Sequence, residues 1–280
     1  MDYQLIWPSL PLRPYLQFYG LLQQSDQSNG IIEDLIPPYP GKGLIFSLEE
    51  QPPARIHNKT FDFEAAEGYF MPQCTRSWHM RIGGRLKMLG IFFRPGMFRR
   101  FFKLPAPELT DQVLRFEDAG IRDLTELQQR LLEPGDIMDK IQQVESFLKK
   151  RLGYSRFQPT LTDRALFLLQ QQGPACSVDA LKAKLRVSSR YFRKIFNQDI
   201  GIPPKAFLRI CRFNMAFQLL RASRFSKLSD IAYELNYCDQ SHFIMEFKHF
   251  TGTTPLRFMK QEHPLHERIY WREERAFGTK

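Results

Sequence analysis

LKAKLRVSSRYFRKIFNQDIGIPPKAF, residues 181–207, is written a second time as IAYELNYCDQSHFIMEFKHFTGTTPLRF, residues 231–258. Leu181, Leu185 and Val187 return as Ile231, Leu235 and Tyr237, 50 residues on. Phe192, Phe196, Gly201, Pro204 and Phe207 return as Phe243, Phe247, Gly252, Pro255 and Phe258, 51 residues on. The one-residue difference falls in the turn inside each copy. Self-similarity at a fixed offset marks repeated supersecondary units, and two copies are too few for a solenoid. The chain therefore holds a pair of related modules.

In the second copy, Leu228, Ile231, Ala232 and Leu235 recur at helical spacing and predict a short helix with one apolar face. Ser229 and Asp230 suit its first turn, where amides lack partners. Asn236 stands where a helix commonly ends in the left-handed conformation. After Tyr237-Cys238-Asp239, with Asp239 as N-cap, a second helix buries Phe243 and Phe247 and turns Gln240, Ser241, Ile244, Met245 and Lys248 outward. Thr251-Gly252 stops it, and Pro255 opens one more short helix. Helix, short turn, helix is the layout whose second helix can lie in a DNA major groove. The first copy repeats it, with Ser188 as cap, Phe192 and Phe196 inward, and Ser189, Arg190, Arg193 and Lys194 outward. Three cations on one helical face suit phosphates as well as a merely solvated surface, and the duplicated layout favours the groove.

Between the modules, Pro204 to about Ala222 reads as one helix, with Phe207, Ile210, Cys211, Ala216, Leu219 and Leu220 as its apolar stripe. Roughly 18 residues at about 1.5 Å each give a rod of roughly 27 Å. Successive major grooves on one face of B-DNA lie about 34 Å apart. One chain could therefore span two groove segments.

With these residues in place, the region resembles the arabinose-operon-activator-like family of bacterial transcription regulators (the AraC/XylS type). The resemblance is carried by Ile231-Ala232-Tyr233-Glu234-Leu235-Asn236-Tyr237, Asp239-Gln240-Ser241-His242-Phe243, Phe247-Lys248, Thr251-Gly252, Pro255, and by Arg212 and Ala216 of the linking helix. It covers about 100 C-terminal residues. It implies that the second helix of each module enters the major groove, through Ser189, Arg190, Arg193 and Lys194 in one and Gln240, Ser241 and Met245 in the other. Two positions depart from the pattern. Met245 stands where many relatives carry Arg, and Lys182 where a small Ala is usual.

At 280 residues the chain is long enough for two domains, each with its own core. Its formal charge of +10 is unevenly placed. Residues 1–150 hold 18 Lys+Arg and 19 Asp+Glu, and the remaining 130 hold 22 and 11. The basic excess thus lies with the modules and argues for an anionic partner. Their short helices bury aromatics inward, unlike a membrane-surface helix with a long apolar face. Cys74, Cys176, Cys211 and Cys238 are widely spaced with no CxxC pair, so a reduced, cytoplasmic protein is expected. Met1-Asp2-Tyr3-Gln4 lacks a signal-peptide pattern, and no apolar run is long enough to span a bilayer.

The N-terminal half reads as strands: Leu44–Leu48, Ala54–His57, Gly68–Met71, Trp78–Ile82 and Lys87–Phe93, with Gly83-Gly84 as a hairpin turn between the last two. Pro14 to about Leu22 suits a short helix or a strand, and Ser25–Asn29 a polar loop. A helix is expected to begin over Met97–Phe102, and further helices over Ile121–Leu132 and Asp136–Leu152. Arg94-Pro95-Gly96 after an apolar strand is similar, more weakly, to the sensor half of some AraC/XylS-type members. That similarity implies an effector-binding β-barrel followed by dimerisation helices. Trp78, Tyr69 and Phe92 are the effector-pocket candidates, with Phe70 beside them, and core packing is the competing reading for each.

Other constellations carry less chemistry. Cys74 and His79 have the types of a thiol nucleophile and its base, but nothing in their spacing fixes a geometry. His242, Glu246 and His249 fall on one helical face without a complementary ligand cluster. No phosphate-cradling glycine motif is present.

The expected fold class is α+β: a mixed β-barrel or sandwich-like sensor domain with trailing helices (1–152), a linker (153–159), an all-α double helix-turn-helix domain (160–262) and a tail (263–280). The expected function is sequence-specific DNA binding in transcription regulation, with an N-terminal effector, through Ser188, Ser189, Arg190, Arg193, Lys194, Asp239, Gln240, Ser241, Met245 and Lys248. A DNA-tethered enzyme and a non-specific architectural binder stay open as rivals. No catalytic residue, cofactor or metal is expected. The expected partners are double-stranded DNA, a small-molecule effector, RNA polymerase and a second copy through residues 121–152, with no membrane. The expected location is the bacterial cytoplasm, at the nucleoid.

Overall fold

The computed structural model describes residues 2–24, 32–49, 54–56, 59–61, 67–82, 85–153, 158–173, 176–221, 225 and 227–260. The expected loop Ser25–Asn29, the turn Gly83-Gly84, residues 154–157 of the linker and the tail lie outside them. The chain divides into two compact units, neither continuous in sequence. One comprises Met1–Asp34, Gly41–Pro72 and His79–Gln158. The other comprises Leu35–Pro40, Gln73–Trp78 and Pro159–Lys280.

The first unit is built on a six-stranded antiparallel sheet. Its strands are β1 (Asp2–Ile6), β2 (Leu16–Gln24), β4 (Gly43–Ser47), β7 (Gly68–Met71), β9 (Leu86–Phe93) and β10 (Leu114–Arg115), in the order β1-β2-β9-β4-β7-β10. A second sheet holds β3 (Ile32–Ile36), β8 (Trp78–Ile82), β5 (Ala54–Ile56) and β6 (Lys59–Phe61) in that order. Two expectations are corrected here. No closed barrel forms among the described residues, because β1 and β10 remain the edges of the larger sheet. Trp78–Ile82 and Lys87–Phe93 are not a hairpin pair either, since β8 and β9 belong to different sheets. Burial explains β9: every residue from Leu89 to Phe93 is buried, as suits a strand flanked by β2 and β4 and covered on both faces. Of the segment Pro14–Leu22, the part from Leu16 on is strand, within β2, and Pro14 and Tyr15 lie in the turn before it.

One face of that sheet packs on α1 (Arg122–Leu132) and α2 (Ile137–Leu152). Leu44, Phe46, Leu89 and Ile91 meet Leu124, Leu127, Leu131, Ile141, Val144 and Leu148 in one core. Phe70, Phe93, Phe98, Phe102 and Phe116 close it with edge-to-face pairs at 5.0–6.2 Å, the geometry the ring quadrupole favours. The helix expected over Met97–Phe102 shortens to a 3-10 turn at Phe98–Arg100, because its phenylalanines are drawn into this cluster. Two polar clamps fix the helices. Gln128 Nε2 donates to the Ser47 carbonyl at 2.8 Å. The Glu145 carboxylate accepts from the Ser9 amide, the Tyr19 hydroxyl and Lys149 Nζ; burial raises its pKa, but Ser9 and Lys149 together hold it below the usual carboxylate range.

The second unit is helical: α3 (Leu161–Gln172), α4 (Val178–Leu185), α5 (Ser189–Ile200), α6 (Pro204–Arg221), α7 (Leu228–Glu234), α8 (Gln240–Thr251) and α9 (Pro255–Phe258). A capping box opens it, Thr160 and Asp163 each satisfying the other's backbone amide. The unit also contains two short segments from early in the sequence. Leu35 joins its core, the buried Asn214 amide donates to the Pro38 carbonyl at 2.9 Å, and the Ser77 amide donates to the Phe250 carbonyl at 3.0 Å.

Candidate nucleic-acid interface

Each module is held by the same local devices. Ser177 Oγ caps α4 by accepting from the Ala180 amide, and Asp230 accepts from the Lys227 amide at the head of α7. Both helices then turn through a left-handed residue, Arg186 at φ 54° and Asn236 at φ 55°. Ser188 Oγ caps α5 at the Tyr191 amide, and Asp239 Oδ1 caps α8 at the His242 amide. Gly201 (φ 102°) and Gly252 (φ 76°) end the two helices in the region that favours glycine. The repeat extends to ring geometry. Phe196 meets Phe207 edge-to-face at 5.4 Å and 74°, and Phe247 meets Phe258 at 5.6 Å and 77°.

Burial of Phe192, Phe196 and Ile200 turns the opposite face of α5 outward, and Ser188, Ser189, Arg190, Arg193 and Lys194 are all exposed. Among the described residues, Arg190, Arg193 and Lys194 have no ion pair, so this face keeps its full positive charge. Lys182, one of the two departures from the family pattern, takes its charged end to partners on α4 and α5. Its Nζ donates to Ser189 Oγ at 2.7 Å and pairs with Asp179 at 2.6 Å.

In α8, Phe243, Phe247 and Phe250 are buried, and Asp239, Gln240, Ser241, Met245 and Lys248 are exposed. Ile244 is half-buried. The 51-residue offset sets Arg190 against Ser241, Arg193 against Ile244 and Lys194 against Met245. Each cation of the first face is thus replaced by an uncharged residue in the second.

Glu246 has a structural partner that its helical spacing did not reveal. It accepts from Arg209 Nε of α6 at 2.7 Å, with its side chain only 11% exposed. Arg209 lies 5.6 Å above the Phe250 ring, and Arg212 lies 5.4 Å above the Tyr237 ring. His242 Nδ1 accepts from the Cys238 amide at 3.3 Å. These bonds commit two members of the His242/Glu246/His249 set, and no three potential metal ligands gather among the described residues. Burial, then the nearby Arg209 and Arg76 charges, lower the His249 pKa.

The effector candidates fall in separate units. Tyr69 and Phe92 belong to the first unit, where Tyr69 donates to Glu67 at 3.1 Å and Phe92 stacks on Phe18 at 4.6 Å. Both are buried. Trp78 belongs to the second unit and is half-buried. No described helix is long and apolar enough to cross a membrane.

A helix-turn-helix domain family matches residues 181–261, and a domain of unknown function (DUF6597) matches residues 4–115. An uncharacterized HTH-type transcriptional regulator of Haemophilus influenzae is 27% identical over 156 residues, 56% of this chain and 51% of the relative. The F1 operon positive regulatory protein of Yersinia pestis is 32% identical over 82 residues, 29% of this chain and 27% of the relative. The chain thus spans about half, or less, of the length of these curated relatives. Among solved structures, ToxT from Vibrio cholerae aligns over 88% of this chain and 98% of its own, with 12% identity and a TM-score of 0.47.

Proposed function

We propose that this chain is an AraC-type regulator that reads two successive major-groove segments of a specific operator through the helix-turn-helix domain matched over residues 181–261. The observation that carries this reading is a single one. Two capped helices with outward polar faces, α5 and α8, flank one continuous 18-residue helix in a unit holding the chain's basic excess.

In this reading Arg190, Arg193 and Lys194 meet phosphates and base edges from α5, and Gln240, Ser241, Met245 and Lys248 meet them from α8. Ser188 and Asp239 seat the two helix starts. Their side chains satisfy amides of their own helices, so their contribution is to orient the reading faces. Arginine presents a fork that matches a guanine edge, Gln matches an adenine edge, and Ser matches more than one.

Full-length protein offered random duplexes in rising salt tests the reading. Enrichment of one sequence that outlasts the screening of phosphates supports it, and indifference to sequence favours architectural binding. Arg193→Ala then costs about 1–3 kcal/mol and relaxes one operator position if Arg193 reads a base. A loss uniform across sequences assigns it to phosphate.

We further infer that the first unit senses a small molecule and that its helices α1 and α2 mediate pairing with a second copy. A near-neutral half preceding a basic reader supports regulation, and the names of the relatives support transcription rather than an enzymatic reaction. The same reading places the protein in the bacterial cytoplasm at the nucleoid, with RNA polymerase as a further partner. Operator affinity measured across a metabolite library, with sedimentation of the full chain, tests both parts. An affinity that no metabolite changes removes the sensing role, and a monomer at all concentrations removes the pairing.

A further inference from the structure

We infer that Met245 reads the C5-methyl group of a thymine in the second groove segment; the inference rests on the proposed entry of α8 into a major groove. Met245 is 67% exposed, although methionine ordinarily gains by burial. Its helix cannot roll to cover it. Phe243 and Phe247 are fully buried on the opposite side, and the next residue, Glu246, is tied to Arg209 of α6 at 2.7 Å. The rotation of α8 about its own axis is therefore set from two directions, and Met245 is held outward between Ser241 and Lys248.

The chemistry of the groove supplies the ligand. The major-groove edges of guanine, cytosine and adenine present hydrogen-bond donors and acceptors, and the C5-methyl of thymine is the apolar group among them. A thioether on an unbranched, flexible side chain gains nothing from a polar edge and adapts readily to a methyl surface. Its neighbours fit the same assignment. Ser241 and Ile244 stand where the first reading helix has Arg190 and Arg193, so this end of α8 brings no guanidinium to compete for a guanine.

The test uses the full-length chain and the duplex it enriches from a random pool. Each thymine is replaced in turn by uracil, which lacks only the methyl group. A buried methylene contributes about 0.8 kcal/mol, which corresponds to about fourfold in Kd. One thymine in the segment covered by α8 should show that loss with the natural chain and none with Met245→Ala. Because Met245 is exposed, this variant leaves the core intact, and helical content measured alongside verifies it. A second variant, Met245→Arg, should exchange the preferred base at that position from thymine to guanine, since arginine pairs bidentately with a guanine edge. Uracil sensitivity that Met245→Ala leaves unchanged, or no uracil sensitivity in an otherwise enriched duplex, overturns the methyl contact while DNA reading stands. Failure to enrich any duplex overturns both.

Discussion

The two helix-turn-helix modules share a backbone plan and differ in what they present. Their turns pass through left-handed residues at φ 54° and 55°, and their helices end on left-handed glycines. Yet α5 offers three exposed cations with no ion pair among the described residues, whereas α8 offers Gln240, Ser241, Met245 and Lys248 and keeps its carboxylate, Glu246, turned back to α6. Duplication therefore conserved what the fold requires, namely caps, phenylalanines and stop residues, and released what the partner sees. Electrostatic attraction and base discrimination are separable quantities in DNA recognition, and on the proposed reading this chain would distribute them unequally between α5 and α8.

The sharpest test of the shared plan is at the core. Phe247 meets Phe213, Phe217, Phe243 and Phe258, whereas Phe196 meets Phe192 and Phe207. Truncating a buried phenylalanine typically costs about 3–5 kcal/mol. Phe247→Ala should fall at the upper end of that range and Phe196→Ala at the lower, read from chemical denaturation midpoints. Equal costs would mean that the two modules are packed to the same degree after all.

Salt dependence sharpens the difference in charge. Each phosphate neutralised contributes about 0.9 to the slope of log affinity against log salt. Replacing Arg190, Arg193 and Lys194 together by alanine should flatten the slope by up to about 2.7. Replacing Gln240, Ser241 and Met245 should leave it unchanged while altering which duplex is preferred. A slope that moves with the α8 set would dissolve the proposed division.

The smallest effect is expected at the turns. A left-handed conformation costs an ordinary residue about 1–2 kcal/mol, and Asn tolerates it better than Arg. Part of any gain from glycine is lost to its freedom in the unfolded chain. Arg186→Gly should stabilise the protein by up to about 1 kcal/mol, and Asn236→Gly by close to nothing. Thermal unfolding of the two variants measures the contrast.

Much of the second unit was legible residue by residue. Phe243 and Phe247 announced the buried side of α8, Asp239 its cap and Gly252 its end, because each depends on neighbours within one or two helical turns. The metal-like spacing of His242, Glu246 and His249 was legible too, but its meaning was not. Arg209, which claims Glu246, lies 37 positions away. Arg186 in the left-handed turn was also missed, since nothing local favours arginine there. Strand positions such as Gly68–Met71 followed from composition and turn residues, whereas the separation of β8 and β9 into different sheets did not.

Sequence by itself determined the duplicated helix-turn-helix plan, the outward residues of α5 and α8, and the confinement of the net positive charge to the C-terminal part. All three are set by short-range periodicity, capping and composition. Tertiary structure alone decided that β8 and β9 join different sheets, that β1 and β10 are the edges of the larger sheet among the described residues, and that residues 35–40 and 73–78 belong with the helical unit. Those outcomes depend on which distant surfaces bury one another. Burial of that kind is nearly indifferent to separation along the chain, and therefore leaves no periodic mark in it.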